Sequence, residues 1–405
     1  MLIESRPGEI LRVEPWGPHA FRVRSAPHAI RDDLPGALLQ PHAAEASKTG
    51  NRLINGRITA ELSSGRLRFT HTETGRELLA DKSPYVGHQG PRVHAPLGDG
   101  TYCLEQVFQG YDDERIYGLG QHQHGRLDQK GLVLDLVQRN TTTTIPFLFS
   151  SRGYGLLWNN PAMGRVELAA DATRWVAETA HQIDYWITAG DTPAEITASY
   201  ADATGHAPML PEWATGFFQS KLRYLTQEEL LAVARRYKEL GLPLSVIVAD
   251  YFHWERMGDW RFDPEFWPDP EAMIKELDQL GVKLMVSVWP TVETRSDNHE
   301  QMRIAGQLVG SVEGGLLTQP WPAKGMGEHF QPSAYVDSFS EGARRKLWKS
   351  SANTTSTWAS KCSGWTPANP TSSTARPSRR STRRGRASRS ATCMPTSTPR
   401  VSTKA

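Results

Sequence analysis

Apolar and polar positions follow two different rhythms along the chain. In the first half, short runs such as LRVEPW, FRVRSA, RITAEL and RLRFTH alternate with a period of two and are separated by Gly, Pro and Asn. That pattern predicts an antiparallel β-sandwich over residues 1–205. TTTTIPFLFSSRGYGLLWNN reads as two buried strands joined at Ser151, Arg152 and Gly153, and DTPAEITASYADATG as a linking helix. From Trp213 the period changes. ATGFFQS is a short apolar strand candidate. Thr226 with Glu229 three residues later reads as a capping box, opening a helix through Leu230, Leu231, Ala234, Tyr237 and Leu240 that Gly241 stops. LSVIVAD (Leu244 to Asp250) is a continuous apolar strand. Asp269 and Pro270 start a second helix carrying Met273, Ile274, Leu277 and Leu280, Gly281 ends it, and VKLMVSVW is a third strand. Wholly apolar strands separated by helices imply right-handed crossovers and a parallel sheet, hence the first part of a (β/α) barrel or a doubly wound sheet over residues 206–349. Three such strands precede the last segment.

Composition changes the picture at residue 350. From Ser350 to Ala405 there are 13 Ser, 11 Thr, 8 Arg and 2 Lys, with no Asp, Glu, Leu, Ile or Phe. Such a segment cannot bury a core and is expected to be disordered. Its ten positive charges account for the basic balance of the chain: without them, 36 Lys and Arg face 44 Asp and Glu, a net charge of −8. The body therefore has no bias toward nucleic acid. Only Cys103 precedes residue 350, which excludes a disulfide framework in the body and fits a reducing compartment. The N-terminus MLIESRPGEILRVEP has no long apolar run, and no stretch is long enough to span a bilayer. The expectation is a cytoplasmic protein with no membrane partner.

Candidate chemistry falls at the carboxyl ends of the barrel strands, where functional side chains of this architecture sit. LSVIVAD ends at Asp250, in the run DYFHWERMGDW, and LMVSV leads into Trp289. A carboxylate among Tyr251, Phe252, His253, Trp254 and Trp260 is what a sugar site requires. Aromatic faces stack on pyranose C–H surfaces, and a carboxylate accepts hydrogen bonds from hydroxyls. The plainer account is that these aromatics pack under loops and that Asp250 caps a neighbouring backbone. His253 and His299 lack regular ligand spacing, so no metal is expected, and nothing calls for a cofactor. GLGQHQHG (Gly118 to Gly125) resembles a phosphate loop only superficially, because no helical pattern follows it.

Four stretches carry a family resemblance: ERIYGLGQ (Glu114 to Gln121), PFLFSSRGYGLLWNN (Pro146 to Asn160), LPLSVIVADYFHW (Leu242 to Trp254) and GDWRFDPEFWPDPEAMIKELDQLGVKLMVSVWPTV (Gly258 to Val292). They resemble, in order, glycoside hydrolase family 31, the α-glucosidase and α-xylosidase family. The resemblance implies a galactose-mutarotase-like β-sandwich, a (β/α)8 catalytic barrel and C-terminal β domains. It implies a retaining mechanism with two aspartates, on an α-glycoside or oligosaccharide substrate, and allows an oligomer in the intact parent. Asp250 matches the family's acidic residue after the second strand, which contacts sugar hydroxyls. Trp260 and Trp289 fall where the family lines the same subsite.

Two carboxyl groups about 5 Å apart are the chemical requirement of retaining hydrolysis. The family's nucleophile lies in a strand resembling F-W-L-D-x-x-E-P, where this chain reads KCSGWTPANP. The genetic code explains the difference. Reading the codons of Trp358 to Pro370 one nucleotide early, Trp365 contributes G and Thr366 contributes AC, a forced aspartate codon. Allowed codon choices give LGIKVFWLDACEP across the stretch, and GFYEG across Arg400 to Ala405. The reading is that residues 350–405 are the family's gene out of frame. No catalytic residue is then present: the nucleophile belongs at Thr366 and the acid/base beyond the end, leaving an inactive fragment. Two rival readings are a glycan-binding pseudoenzyme, and a sugar-binding body whose arginine run SRRSTRRGRASRS (Ser378 to Ser390) binds nucleic acid.

Overall fold

The structure, a computed structural model, describes residues 1–41, 44–82, 90–311, 314–322, 330–355 and 363–365. Two compact units divide the chain, with the boundary between Ala207 and Pro208.

In the first unit the alternating runs pair as antiparallel strands. One sheet runs, in spatial order, Leu2–Arg6, Glu9–Pro15, Ala20–Ala26, Ile183–Ala189, Tyr154–Trp158, Thr143–Ser150 and Ile116–Gln121. A second holds Val133–Leu136, Gly164–Leu168, Ala172–Ala180, Tyr102–Gln109 and Arg92–Pro96, and a third is the meander from Ala46–Thr49 to Glu77–Ala80. The two strands expected from TTTTIPFLFSSRGYGLLWNN pair with Ser150 opposite Tyr154. Leu11, Phe21, Phe69, Leu104, Trp158 and Trp175 lie in one buried cluster shared by the three sheets. The linking helix is Pro193–Thr204, capped by Thr192 and Glu195, which each bond the other's backbone N–H.

Charge is buried inside this unit. Every residue of the strand Ala20–Ala26 is buried, the two arginines of FRVRSA included. Arg22 forms a two-pronged pair with Asp184 at 3.0 and 2.6 Å, and Arg24 pairs with Glu14 and Asp32. Deeper still, Arg92 contacts Asp81 and Glu9 at 2.5 Å each, and Asp81 also accepts from the Leu67 backbone and Gln106. Cys103 is buried at 1% exposure beside Leu97 and Val176.

The second unit opens with four parallel strands in the order Phe218–Gln219, Val246–Ala249, Lys283–Val288 and Ser363–Trp365. Helix Gln227–Glu239 buries Leu230, Leu231 and Ala234, and helix Pro270–Gln279 buries Met273, Ile274 and Leu277. Thr226 and Asp269 cap them through the N–H groups of Glu229 and Ala272. Glu229 turns its carboxylate to the Leu225 N–H and Lys221 rather than back to Thr226, so the box is half made. Arg235 grips Glu276 across the two helices at 2.5 and 2.9 Å.

Two features depart from the expected pattern. Residues 350–405 are not without structure throughout: helix Glu341–Thr355 runs into them, and Ser363–Trp365 forms a fourth parallel strand. An open edge at Lys283–Val288 presents unpaired donors and acceptors, and three residues of any composition can satisfy them. The rest of the segment, Thr366 and the arginine run included, lies outside the described residues. The other departure is a small antiparallel sheet of Thr318–Pro322, Phe330–Tyr335 and Thr291–Glu293, inserted after the third strand. Among the described residues, no helix is long and apolar enough to cross a membrane.

Replacing Arg92 by Leu leaves the Asp81 carboxylate buried with no charge partner. We expect a loss of about 3–5 kcal/mol in unfolding free energy, measured by urea denaturation. An unchanged midpoint would show that the pair contributes no net stability.

Candidate active site

Asp250 directly follows the strand Val246–Ala249, and Trp289 directly follows Lys283–Val288. The two strands are neighbours with Ala249 opposite Val286, so their ends lie side by side. Asp250 is half-buried, and its Oδ1 accepts from the Tyr251 N–H at 2.8 Å. The Tyr251 ring stacks on Trp289 with centroids 4.6 Å apart and planes 21° from parallel, and Phe252 leans on Tyr251 from 4.0 Å. The structure thus brings together a carboxylate and a half-buried aromatic pair.

Trp260 has a different part from the expected one. It is 1% exposed, with a positive φ of 51°, and its indole N–H donates to the Trp289 carbonyl at 2.9 Å. In this position it holds the backbone that carries Trp289 and presents almost no ring surface of its own. Gly258, at φ 99°, makes the approach possible, since a Cβ there would lie 2.8 Å from the Val292 Cα. Met257 and Gly258 carbonyls accept from the Glu293 N–H and the Asn298 amide, at 2.8 Å each.

The sequence reading overlooked Arg223. Its guanidinium lies 5.0 Å from the centre of the Phe252 ring, in the loop after the strand Phe218–Gln219. Its position in SKLRY, just past a strand of only two residues, is the only signal for it. Thr366 lies outside the described residues, but the strand before it ends with Trp365 opposite Val288.

Neither histidine is placed among metal ligands. Among the described residues there is no group of three or more His, Cys, Asp and Glu that could hold a metal. His299 is buried at the start of helix His299–Ile304. His253 is 2% exposed, bonds the Asp250 carbonyl through Nδ1 at 3.1 Å, and gives its own carbonyl to the Asp263 N–H. Burial pushes its pKa down from 6.5 to about 4. Above pH 6.5 folded and unfolded chains both hold it neutral, and between 6.5 and about 4 only the unfolded chain takes up the proton. Stability from this group is therefore lost as pH falls through that window, by about 3 kcal/mol in all. The difference in unfolding free energy between wild type and His253→Phe should shift by that amount from pH 6.5 to 4. Parallel curves would show that His253 does not titrate this way.

The two units agree with what the chain matches. Residues 10–167 match the glycosyl hydrolase 31 N-terminal galactose mutarotase-like domain, and residues 207–388 match the glycosyl hydrolases family 31 TIM-barrel domain. The second match passes the expected domain end at 349 and takes in the strand Ser363–Trp365. An uncharacterized family 31 glucosidase of Pseudescherichia vulneris is 44% identical over 329 residues, 76% of this chain and 62% of that protein. An α-xylosidase of Saccharolobus solfataricus is 38% identical over 220 residues, 52% of this chain and 30% of that protein. The crystal structure of a family 31 α-xylosidase from a soil metagenome, complexed with xylose, superposes with a TM-score of 0.81 at 40% identity, covering 90% of this chain and 56% of that one. The chain spans less than two thirds of the length of each of these relatives. With both domain models in order along it, this chain belongs to glycoside hydrolase family 31.

Proposed function

We propose that the parent of this chain is a retaining α-glycoside hydrolase of the α-xylosidase or α-glucosidase type, and that the chain as written is inactive. The observation that carries the reading is the pairing of Asp250 with the Tyr251–Trp289 stack at the ends of adjacent parallel strands. A carboxylate beside an aromatic face accepts hydrogen bonds from ring hydroxyls while the ring covers the C–H side of the sugar. Solved relatives complexed with xylose and glucose, and a cycloalternan-forming enzyme complexed with a pentasaccharide, support a carbohydrate substrate.

Retention needs two further groups: a nucleophile that attacks the anomeric carbon, and an acid that protonates the leaving oxygen and then activates water. In the printed frame the residue after the fourth strand is Thr366, and a hydroxyl without a base is a poor nucleophile. The shifted frame puts aspartate there. Restoring it and following aryl α-xyloside and α-glucoside cleavage by NMR is expected to release the α-anomer first. Initial β-anomer would reject retention. The unaltered chain is expected to turn over neither substrate.

A second reading also has an observation behind it. The barrel match extends to residue 388, and Ser363–Trp365 pairs in the printed frame. On this reading the segment is in frame and the protein holds glycans without cleaving them. The nucleotide sequence decides, since the first reading requires an acid/base motif and further domains in the shifted frame.

In the frame-restored enzyme, Asp250→Ala is expected to lower kcat/KM by at least tenfold to a hundredfold, corresponding to about 1.5–3 kcal/mol for a hydrogen bond to a charged group. Kinetics equal to wild type would remove Asp250 from the site.

A further inference from the structure

The first unit contains a cleft of about 240 Å³ that the proposed reaction does not use. Its walls are the turn Trp16 to His19, Gln40 with Pro41, the side of helix Pro193–Thr204 that carries Ser199 and Asp202, and Trp186 at its base. We infer that this cleft is a second carbohydrate site, taking one neutral pyranose ring against Trp16.

Trp16 is built as a platform. Its indole N–H donates to the Leu39 carbonyl at 3.1 Å, and its own carbonyl accepts from the Trp186 indole at 3.0 Å. One face is covered by the Arg22 guanidinium, 4.5 Å from the ring centre, which Asp184 locks in turn. The half-buried ring is thereby fixed without help from a ligand, and a rigid aromatic loses little entropy on binding. His19 has a positive φ of 56°, an uncommon conformation for a residue with a side chain. Its Nδ1 accepts the Arg57 N–H at 3.2 Å, which places the proton on Nε2 and makes that atom a donor. Asp202 holds His206 with Oδ1 at 2.6 Å, leaving its second oxygen as an acceptor, and Ser199 and Gln40 add a hydroxyl and an amide.

Donors and acceptors side by side against an aromatic ring suit vicinal hydroxyls on a C–H face. An anion is disfavoured, because the described lining residues include no Arg or Lys, Arg22 lies behind Trp16 in its pair with Asp184, and Asp202 adds negative charge. An apolar ligand would match none of the four polar side chains of the walls, His19, Gln40, Ser199 and Asp202. The volume falls below the roughly 300–1,000 Å³ of clefts for larger ligands, so one ring is the expected occupant.

The test uses the full chain, with the indole N–H signal of Trp16 assigned by Trp16→Phe, titrated with methyl α-D-xylopyranoside, methyl α-D-glucopyranoside and inorganic phosphate. A saturable shift at millimolar pyranoside and none with phosphate is expected. Ser199→Leu, which fills the cleft from a helical position that tolerates Leu, should abolish the shift. Asp202→Asn should weaken binding by about tenfold, and Asp250→Ala should leave it unchanged, separating this site from the strand-end one. No saturable shift, an equal response to phosphate, or binding that survives Ser199→Leu overturns the proposal. Loss of binding in Asp250→Ala overturns it as well.

Discussion

The parallel register between Val246–Ala249 and Lys283–Val288 is the constraint on which the candidate site depends. Parallel strands point their carboxyl ends the same way, and with Ala249 opposite Val286 the chain emerges from both at nearly one level. A carboxylate and a tryptophan 39 positions apart in sequence then become neighbours. Slipping the pair by one residue would turn every side chain to the other face of the sheet, moving Ile247 and Val286 out of their packing and Asp250 away from the strand-end cluster. The helices fix this register from outside, through Leu230, Leu231, Met273, Ile274 and Leu277.

Legibility followed the range of each determinant. Both helices of the second unit could be placed from sequence because their limits are local: Thr226 and Asp269 at one end, Gly241 and Gly281 with positive φ at the other. Asp250 and Trp289 were legible for the same reason, as the residues after two apolar runs. Ser363–Trp365 was not, because a short edge strand is decided by the backbone beside it and its composition offered no apolar pattern. The antiparallel insert likewise has non-local pairing, Thr291 with Tyr335, and Pro at both Pro320 and Pro332. Trp260 was expected to line the site because it falls where the family resemblance places a subsite residue. Its burial follows from Gly258 and from the Trp289 carbonyl, neither of which a sequence pattern exposes.

In the first unit charge lies inside the fold. Arg22 and Arg24 sit in a strand whose every residue is buried, and each finds carboxylates that make burial tolerable. A period of two locates a strand without saying which face meets water when both faces are covered. Asp81, Arg92 and Glu9 extend the same theme, joining residues distant in sequence through charges that would be costly apart.

The hydrogen bond from Trp260 to the Trp289 carbonyl joins the excursion after one strand to the start of the excursion after the next. With the Glu293 N–H on Met257 and the Asn298 amide on Gly258, that excursion is stitched at three points within a few residues. Two surface loops that would each fluctuate alone are reduced to one body with a single set of motions. Any displacement that a guest imposes on Tyr251 is therefore shared with the inserted sheet, and the conformational freedom given up on binding has largely been surrendered already in the empty protein.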